Sequence, residues 1–403
     1  MFIASPRVKI LIAEDDQISR RILAILVEQQ GHQVVLASDG AEAWTRFQQG
    51  DIRLVITDWM MPNLDGLGFL RRIRAHPGSY TYVILLTARS EREDIDKSIA
   101  AGVDDHLIKP VVKDELRARL LVAQRVVALH EELAQRSELL ATANRRMELD
   151  LKAAMKAQRQ LLPNPLPTVP GLDLAWRLIP CDELAGDTLN VVRLDEGHLG
   201  FYLLDVSGHG VSAALMAVQV SRFLSPQMGY GSLLKRPQAG PQRYRLGSPD
   251  EVARELALLF HAPMGLQFFT MTYGIYDLEE HTIEMVCCAH PPPIMLRADG
   301  TVEIPELTGH PIGLFAPDEV NFSTWRTRLN PGDRLILYSD GVTETTDVAH
   351  EIIGTHGLLN LLEQQRGVGL DACLNGVLDS LTHTRAGRPV ADDVSLLGLE
   401  RRS

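Results

Sequence analysis

Residues 54–66 read LVITDWMMPNLDG, an apolar run that leads directly into an acidic loop. Four more short apolar runs surround it in the chain, at residues 9–13, 33–37, 83–86 and 106–108. Short runs of mostly Val, Ile and Leu, separated by amphipathic segments, are typical of parallel strands buried on both faces. Five such strand–helix repeats predict a doubly wound α/β domain, (βα)5, over residues 1–125.

The overall composition is that of a folded, soluble protein. Apolar residues make up 45% of the 403 residues and charged residues 23%, which is ordinary for globular domains. The formal net charge of −12 argues against a nucleic-acid-binding surface, which needs clustered Lys and Arg. The N-terminal segment is not a secretory signal, and no stretch of about 18 apolar residues follows it. We therefore expect a cytoplasmic protein that binds neither nucleic acid nor membrane.

A long linker helix is predicted to follow the first domain. Residues 116–161 contain no Pro or Gly, and a 4-3 heptad spacing that starts at His130 places Leu133, Leu140 and Met147 at d positions. Asn144 then falls at an a position, where a buried Asn favours a parallel two-stranded coiled coil and hence a homodimer. The alternative is an amphipathic helix that packs on its own domain. Three prolines in residues 163–167, PNPLP, must end the helix, so the linker covers residues 126–163.

The remaining residues, 164–403, predict a second domain of mixed α and β structure. Alternating apolar and polar residues predict strands near residues 199–206, 271–278, 283–288 and 334–339. Helical patterns lie between them, near residues 212–224 and 250–260. These strands are expected to form antiparallel sheet.

The informative polar residues of the first domain all follow the ends of predicted strands. Glu14 and Asp15 come after the first strand, Asp58 after the third, Thr87 after the fourth and Lys109 after the fifth. In open parallel sheets this carboxyl edge is where ligands bind. Three converging carboxylates suit Mg²⁺, and an ammonium and a hydroxyl group suit a phosphoryl group. Asp58 is therefore a plausible acyl-phosphate nucleophile.

The motifs LIAEDDQISR, LVITDWMMPNLDG, LLTA and HLIKP resemble the receiver domains of two-component response regulators. The resemblance implies that Asp58 accepts phosphate from a sensor histidine kinase. It also implies a Mg²⁺ site, with ligands from Glu14, Asp15, Asp58 and the carbonyl of Met60.

The same resemblance assigns the phosphate contacts to Lys109 and Thr87, with a cis Lys109–Pro110 peptide bond. One position departs from the family pattern, because His106 stands where the family usually has a switch aromatic residue. The relay between Thr87 and this position is therefore expected to differ.

A hairpin is predicted over residues 185–210, AGDTLNVVRLDEGHLGFYLLDVSGHG. If its turn is centred on Glu196, residues whose numbers sum to 392 face each other, so Asp187 lies opposite Asp205. Opposed strand residues have Cβ atoms about 4.5–5.5 Å apart, where like charges are unfavourable. A shared metal would explain the pair.

Further acidic residues lie at the ends of other predicted strands. Asp340 follows the strand in RLILYSDGVTE, and Asp392 and Asp393 open the strand in ADDVSLLGL. Four carboxylates on separate strands, with no His or Cys ligand pattern, suit a pair of hard ions rather than zinc. The sequence leaves open whether Asp392 or Asp393 is the ligand.

Residues from about 155 to 400 resemble bacterial PPM-type serine/threonine phosphatases, the relatives of SpoIIE and RsbU. The similarity rests on the motifs AQRQLLPNPLP, AGD, DVSGHGVSAALMA, FFTMTYGIYD, CAHPPP, GHPIGL, LNPGDRLILYSDGVTE and ADDVSLL. It implies an α/β/β/α sandwich, and two Mn²⁺ or Mg²⁺ ions. The implied substrate is a phosphoserine or phosphothreonine on a STAS-type anti-sigma-factor antagonist.

By the same resemblance, Asp205 and the Val206 carbonyl are the central metal ligands. Asp187 would act largely through water, and Asp340 and Asp392 would complete the set. Three positions depart from the family pattern: Asn190 replaces an Asp, Ala289 a Gly and Ser395 a Thr. Asn190 could offer a metal only one neutral oxygen and so weaken its binding. His209 and His290 are expected to be hydrogen-bonding residues near the site, and the less favoured alternative is a catalytic-acid role for either of them.

The sequence thus predicts a response regulator whose phosphorylation on Asp58 controls a metal-dependent phosphatase, and whose helix transmits the signal within a parallel dimer. The alternative, motivated by Asn190, is a catalytically weak scaffold that binds a STAS-type partner in a phosphorylation-dependent way.

Overall fold

A computed structural model describes residues 7–88, 92–227, 231–238, 244–261 and 267–402. The chain divides into two compact units, Met1–Arg146 and Met147–Ser403. No helix in the described ranges is both long and apolar enough to cross a membrane.

Strands and helices alternate in the first unit. Along the chain they are β1 (Lys9–Ala13), α1 (Gln17–Glu28), β2 (Gln33–Ala37), α2 (Gly40–Gln49), β3 (Leu54–Asp58), α3 (Gly66–Ala75), β4 (Tyr82–Thr87), α4 (Arg92–Ala100), β5 (Asp105–Ile108) and the first part of α5 (Lys113–Arg159). The strands form one parallel sheet in the order β2-β1-β3-β4-β5. The predicted doubly wound domain is confirmed.

Burial and helix capping explain how the loops at the carboxyl edge of this sheet are fixed. Every residue of β3 and β4 is buried, as expected for central strands covered on both faces. The side chains of Asp16, Asp39 and Asp65 each accept a hydrogen bond from the backbone N–H three residues further on. These caps start α1, α2 and α3 directly after the loops that follow the strands.

The linker helix α5 is a single helix of 47 residues, about 70 Å long at 1.5 Å per residue. Its first turns pack on the sheet of the first unit through Leu116, Leu120, Ala123 and Val127. His130 stacks on Tyr80, with 3.9 Å between ring centroids. His130, the first residue of the predicted heptad, is therefore engaged by a contact within the first unit. The side chains of residues 128–150 are exposed to solvent.

The second unit contains the end of α5 and most of the strands. These elements are β6 (Leu172–Ile179), β7 (Thr188–Arg193), β8 (His198–Val206), α6 (Val211–Phe223), β9 (Lys235–Pro237), β10 (Tyr244–Leu246), α7 (Pro249–Phe260), β11 (Phe269–Asp277), β12 (Thr282–Cys288), β13 (Ile294–Leu296), β14 (Val302–Glu303), β15 (Thr324–Arg328), β16 (Arg334–Tyr338), α8 (Asp340–Thr343), α9 (Gly354–Gln364), α10 (Leu370–Thr384) and β17 (Val394–Arg401). Strands β9 and β10 form a separate two-stranded antiparallel sheet.

Two antiparallel sheets build the second unit, in the orders β15-β12-β11-β8-β7 and β14-β13-β16-β17-β6. An apolar core lies between them, with residues such as Phe201 and Leu203 from one sheet and Leu337 and Leu397 from the other. Helices α6 and α7 cover the outer face of the first sheet, and α9 and α10 cover that of the second. The predicted α/β/β/α sandwich is confirmed.

Candidate phosphoacceptor and metal centres

The first candidate site lies at the carboxyl edge of the parallel sheet. Glu14 and Asp15 follow β1, and Asp58 is the last residue of β3. A side-chain oxygen from each of the three lies within 4.8 Å of the others. Carboxylates this close repel one another, and an oxygen-only set suits a hard cation such as Mg²⁺. The structure thus brings together the three acidic residues that the sequence predicted to meet.

Lys109, just after β5, supplies positive charge to this cluster. Its Nζ lies 2.8 Å from Asp58 Oδ2 and 2.9 Å from Glu14 Oε1. Burial raises the pKa of Glu14, although the hydrogen bond from Lys109 opposes the shift. Burial also disfavours the charged form of Lys109, but its bonds to Asp58 and Glu14 outweigh this and raise its pKa. Lys109 therefore stays charged where a phosphoryl group on Asp58 would add negative charge.

The other predicted residues lie beside the cluster. Thr87 ends β4 and is buried, and its carbonyl oxygen accepts a hydrogen bond from Lys109 N at 2.8 Å. Met60, two residues after Asp58, is 72% exposed, and the metal-binding role of its carbonyl stays a prediction. The Lys109–Pro110 peptide bond is cis, as expected.

His106 is tied to the neighbouring helix rather than left free. It pairs with Leu85 in the sheet, and its Nε2 lies 2.6 Å from the hydroxyl oxygen of Ser98 in α4. Burial lowers its pKa, so the ring is neutral at pH 7. A hydrogen-bonded imidazole at this position must break its bond to Ser98 before it can move.

The second candidate site lies at one end of the sandwich. Thr188 pairs with Leu204 in the β7–β8 hairpin, and this register places Asp187 opposite Asp205, as the count of residues predicted. Asp187 is 2% exposed. Burial, followed by the charge of Asp205, raises its pKa well above the ordinary value. Asp205 is partly buried, and a carboxylate placed opposite the buried Asp187 calls for a cation or a shared proton between them.

Two further carboxylates reach this place from the other sheet. Asp340 begins α8 directly after β16, and Asp392 precedes β17. Burial raises the pKa of Asp205 to about 7, and the charges of Asp340 and Asp392 add to the shift. Burial and the charge of Asp392 likewise raise the pKa of Asp340. The predicted carboxylates thus form one electrostatically coupled cluster, which oxygen-bound divalent ions would neutralise.

Asp393 has a different role from Asp392. One of its oxygens accepts a hydrogen bond from Cys181 N at 2.7 Å, and the other accepts bonds from Gly186 N at 2.6 Å and Asp187 N at 3.1 Å. Both oxygens are therefore used to hold the segment that carries Asp187. Asp392 is exposed and remains the ligand candidate of the two. Sequence reasoning missed this role of Asp393, because its partners lie about 200 residues earlier.

Gly186 allows this segment to pack tightly against the end of β8. A Cβ atom at Gly186 would lie 3.1 Å from the carbonyl oxygen of Val206 and 3.2 Å from that of Gly208. Val206 follows Asp205 and is fully buried. The close approach places the Val206 carbonyl next to the residue that precedes Asp187, and its role as a metal ligand stays a prediction.

Two departures from the family pattern have structural explanations. Ser395 Oγ donates a hydrogen bond to Asp187 Oδ2 at 2.5 Å, so Ser supplies the hydroxyl that Thr would supply. Asn190 Nδ2 donates to the carbonyl oxygen of Leu161 at 2.9 Å, and its Oδ1 accepts from Val191 N. Both ends of the Asn190 carboxamide therefore bond to backbone groups, and the expected weakening of a metal at this position stays a prediction.

The third departure is a backbone position. Ala289 has a φ of 53°, in the left-handed region where Gly is favoured because it lacks a Cβ atom. His290, the next residue, is buried, and its Nδ1 lies 2.7 Å from Thr270 Oγ1. His209 is exposed, with Nδ1 3.4 Å from Asp182 Oδ2. Both histidines make hydrogen bonds, and a catalytic role for either is not tested by these contacts.

Comparison with known families matches two parts of the chain. Residues 10–121 match the response regulator receiver domain. Residues 195–402 match the family described as Stage II sporulation protein E (SpoIIE), which is just over half of the chain.

Two curated relatives each match about half of the chain. Regulator of RpoS from Escherichia coli K12 is 34% identical over 212 residues, which are 52% of this chain and 62% of that protein. Phosphoserine phosphatase RsbP from Bacillus subtilis 168 is 26% identical over 216 residues, 52% of this chain and 48% of that protein. The chain therefore spans less than two thirds of the length of either relative.

Among solved structures, the SiaA-PP2C domain of Pseudomonas aeruginosa matches with a TM-score of 0.53 at 17% identity. The match covers 64% of this chain and 99% of that one, and it supports the sandwich fold. With the family match over residues 195–402, we conclude that this chain belongs to the SpoIIE family and carries a response regulator receiver domain in its N-terminal part.

Proposed function

We propose that the protein is a response regulator that controls a metal-dependent protein serine/threonine phosphatase. The observation that carries this proposal is the carboxylate cluster, in which Asp187 and Asp205 of one sheet meet Asp340 and Asp392 of the other. Burial and mutual repulsion disfavour the charged forms of these groups, and bound cations would offset that cost. The name of the RsbP relative, a phosphoserine phosphatase, supports phosphoserine as the substrate class.

The donor set suits two Mn²⁺ or Mg²⁺ ions, since it is made of oxygen atoms. Asp205 and the Val206 carbonyl would hold them centrally, Asp340 and Asp392 would bind from the other sheet, and Asp187 would act largely through water. Such ions activate water and clamp a phosphoryl group. Ser395 would orient Asp187 through its hydrogen bond.

Asp58 is the proposed phosphoacceptor of the receiver domain, with a sensor histidine kinase as the donor. Glu14, Asp15, Asp58 and the Met60 carbonyl would hold Mg²⁺. The contact of 2.8 Å between Lys109 Nζ and Asp58 Oδ2 supports a role for Lys109 in stabilising the phosphoryl group. Thr87 would donate its hydroxyl to the same group.

The linker helix supports assembly as a parallel homodimer. Leu133, Leu140 and Met147 recur at heptad spacing and are 60–65% exposed in the single chain. A second copy of the helix would bury this stripe, with Asn144 setting the parallel register. Since His130 stacks on Tyr80, the coiled coil would begin after it.

Phosphorylation would act on the phosphatase through this helix. The carbonyl of Leu161, just past the end of α5, accepts the hydrogen bond from Asn190 in β7, the strand that follows Asp187. A change in receiver pairing that shifts the helix would therefore move β7 and, with it, Asp187 of the proposed metal site. The proposed substrate is a phosphorylated STAS-type anti-sigma-factor antagonist.

The test is phosphate release from phosphorylated STAS proteins of the same organism, with and without Mn²⁺. We expect release that requires Mn²⁺ and is lost in Asp340→Asn. Equal release by wild type and variant would contradict the proposal.

A second candidate is a scaffold that binds a STAS-type partner and has little activity. Its motivation is Asn190, because both ends of this carboxamide bond to backbone groups, Nδ2 to the Leu161 carbonyl and Oδ1 to Val191 N, at a position where the family usually has an Asp. A scaffold would show neither Mn²⁺-dependent release nor any effect of Asp340→Asn on turnover.

A further inference from the structure

A stacked pair of rings ties the linker helix α5 to the receiver domain beyond the point where the helix packs on the sheet. Val127 is the last residue of α5 that is buried in the core of the first unit. One turn further on, the ring of His130 stacks on that of Tyr80, with 3.9 Å between the centroids and 20° between the planes. The adjacent ion pair between Glu131 Oε1 and Arg53 Nε is long, at 3.6 Å, and half of the Glu131 side chain is exposed, so it contributes little. The stack is therefore the main contact of this turn of the helix with the receiver domain.

Charged groups fix the Tyr80 side chain of this pair. Its hydroxyl donates a hydrogen bond to Asp104 Oδ1, and the guanidinium of Arg74 lies over its ring, with Cζ 5.6 Å from the centroid. Arg74 Nη2 also donates to Asp104 Oδ2 at 2.6 Å, and Arg74 Nε donates to the Gly102 carbonyl oxygen at 2.9 Å. Asp104 Oδ2 accepts a further bond from Val83 N at 2.7 Å. The position of the Tyr80 ring is therefore set by the segment between α4 and β5.

Strand β5 joins this segment to the proposed phosphoacceptor site. Asp104 directly precedes β5, and Lys109 directly follows it. At that far end of the strand, Lys109 Nζ lies 2.8 Å from Asp58 Oδ2. A phosphoryl group on Asp58 would change the charge that Lys109 contacts, and the strand connects Lys109 to Asp104 through only four residues.

The helix α5 is attached to the start of β5 at two points. Arg119 Nη1 lies 2.8 Å from Asp105 Oδ1, the first residue of the strand. The second point is His130, which reaches Asp104 through the Tyr80 ring and hydroxyl. Eleven residues separate the two points, which is about 16 Å along a helix. A shift of the start of β5 would therefore act on the helix at two levels, and the upper level depends on Tyr80.

We propose that Tyr80 couples strand β5 to the linker helix: its hydroxyl follows Asp104 and its ring packs against His130, so a shift of the start of β5 changes the direction in which α5 leaves the receiver domain. This inference rests on the proposed control of the phosphatase by phosphorylation. It assigns the receiver end of that control to three side chains, none of which lies at the phosphoacceptor site. A coupling of this kind requires an element with two arrangements that both ends of the route can bias, and here that element is the turn of α5 that carries His130.

Two single substitutions break the two contacts of Tyr80 separately. Tyr80→Phe keeps the stack on His130 and removes the hydroxyl that bonds to Asp104. His130→Ala keeps that hydroxyl and removes the stack. His130→Phe restores an aromatic ring at the same place and serves as the conservative rescue. Gln135→Ala, at an exposed position five residues further along α5, is the matched control for a change to Ala on this helix.

The experiment measures amide hydrogen exchange in residues 128–135 of the full chain, with and without beryllofluoride and Mg²⁺ as an acyl-phosphate mimic. Amide exchange reports local opening of the helix, so the measurement does not depend on turnover. We expect the mimic to change the exchange rates about fivefold or more in the wild-type protein, in Gln135→Ala and in His130→Phe. In Tyr80→Phe and His130→Ala the change should fall below about twofold.

Tryptophan fluorescence separates a loss of coupling from a loss of binding. Trp59 directly follows Asp58, so its emission should report binding of the mimic, and we expect the same response in all five proteins. A loss of this response in Tyr80→Phe or His130→Ala would overturn the inference, because these residues would then act on the phosphoacceptor site itself.

Two exchange results would also overturn it. One is a change of wild-type size in Tyr80→Phe or His130→Ala, and the other is no change in the wild-type protein. If the mimic changes the exchange of the wild-type helix as described but leaves the phosphatase rate unaltered, the coupling through Tyr80 stands and the proposed control of the phosphatase fails.

Discussion

Gln158 and Ala185 are joined by two hydrogen bonds between the linker helix and the segment that carries Asp187. Gln158 Nε2 donates to the Ala185 carbonyl oxygen at 2.6 Å, and Ala185 N donates to Gln158 Oε1 at 3.2 Å. Ala185 lies two residues before Asp187. A displacement of the last turn of α5 would therefore move the segment that carries Asp187, a residue of the proposed metal site.

Removing the Gln158 amide should uncouple the helix from the metal site. Gln158→Met keeps the length of the side chain but loses both hydrogen bonds, at a cost of about 1–3 kcal/mol in unfolding free energy. We expect the ratio of phosphatase rates with and without an acyl-phosphate mimic to fall to within about twofold of one.

The matched control is Gln160→Met, the same change at an exposed glutamine two residues further on. It should leave both the stability and the rate ratio unchanged. A normal rate ratio in Gln158→Met would show that the signal reaches the site by another route.

Substitution by Asn should lower the stability of the protein at Asp393 but weaken metal binding at Asp392. Asp393→Asn places an amide donor against backbone N–H groups that now bond to a carboxylate, and we expect a loss of about 2–4 kcal/mol in unfolding free energy. Asp392→Asn should keep the stability of the metal-free protein and weaken Mn²⁺ binding by roughly 10- to 100-fold. Urea unfolding and Mn²⁺ titration of both variants would check this; a stable Asp393→Asn protein would contradict it.

Ala289→Gly should stabilise the protein. The substitution relieves a left-handed conformation that costs about 1–2 kcal/mol for an L-residue, while the extra freedom of Gly in the unfolded chain takes back about 0.4–1 kcal/mol. We expect a net gain of about 0.5–1 kcal/mol in urea unfolding. The same change at Ala253, inside α7, should lose about 1 kcal/mol or more. A loss at Ala289 as large as that at Ala253 would show that its backbone is not strained.

The metal-free protein should lose stability as pH rises because of Asp205. The pKa of Asp205 is about 7 in the folded protein, against an ordinary value of 3.8. Between these values the folded state retains a proton that the unfolded state has released, so the unfolding free energy falls with rising pH and levels off above the folded pKa. Asp205→Asn should lack this part of the dependence. Unfolding measured in a chelator from pH 4 to pH 8 would test it, and parallel curves for the two proteins would refute it.

Much of both sites could be predicted because strand geometry converts sequence spacing into position. Asp58 and Lys109 lie at the same edge of the sheet because each stands at the carboxyl end of a parallel strand, however the side chains pack. The register of Asp187 and Asp205 follows from the centre of a short hairpin, since pairing in a hairpin is fixed by its turn.

What could not be predicted depends on contacts between distant segments. The bonds from Cys181 and Gly186 to Asp393 cross more than 200 residues of sequence, and no local pattern marks them. Asn190 looked like a weakened ligand because its motif position suggested one, while its side chain in fact bonds to Leu161. The stacking of His130 on Tyr80 likewise could not be predicted, and it makes His130 unavailable for the coiled coil although the heptad spacing includes it.

The central claim is that the receiver domain controls the phosphatase domain. The most direct measurement is the rate of Mn²⁺-dependent phosphate release from a phosphorylated STAS protein, with the full chain treated or not treated with beryllofluoride as an acyl-phosphate mimic. We predict that the mimic changes the rate several-fold in the wild-type protein and has no effect in Asp58→Asn. Equal rates with and without the mimic in the wild-type protein would contradict the account.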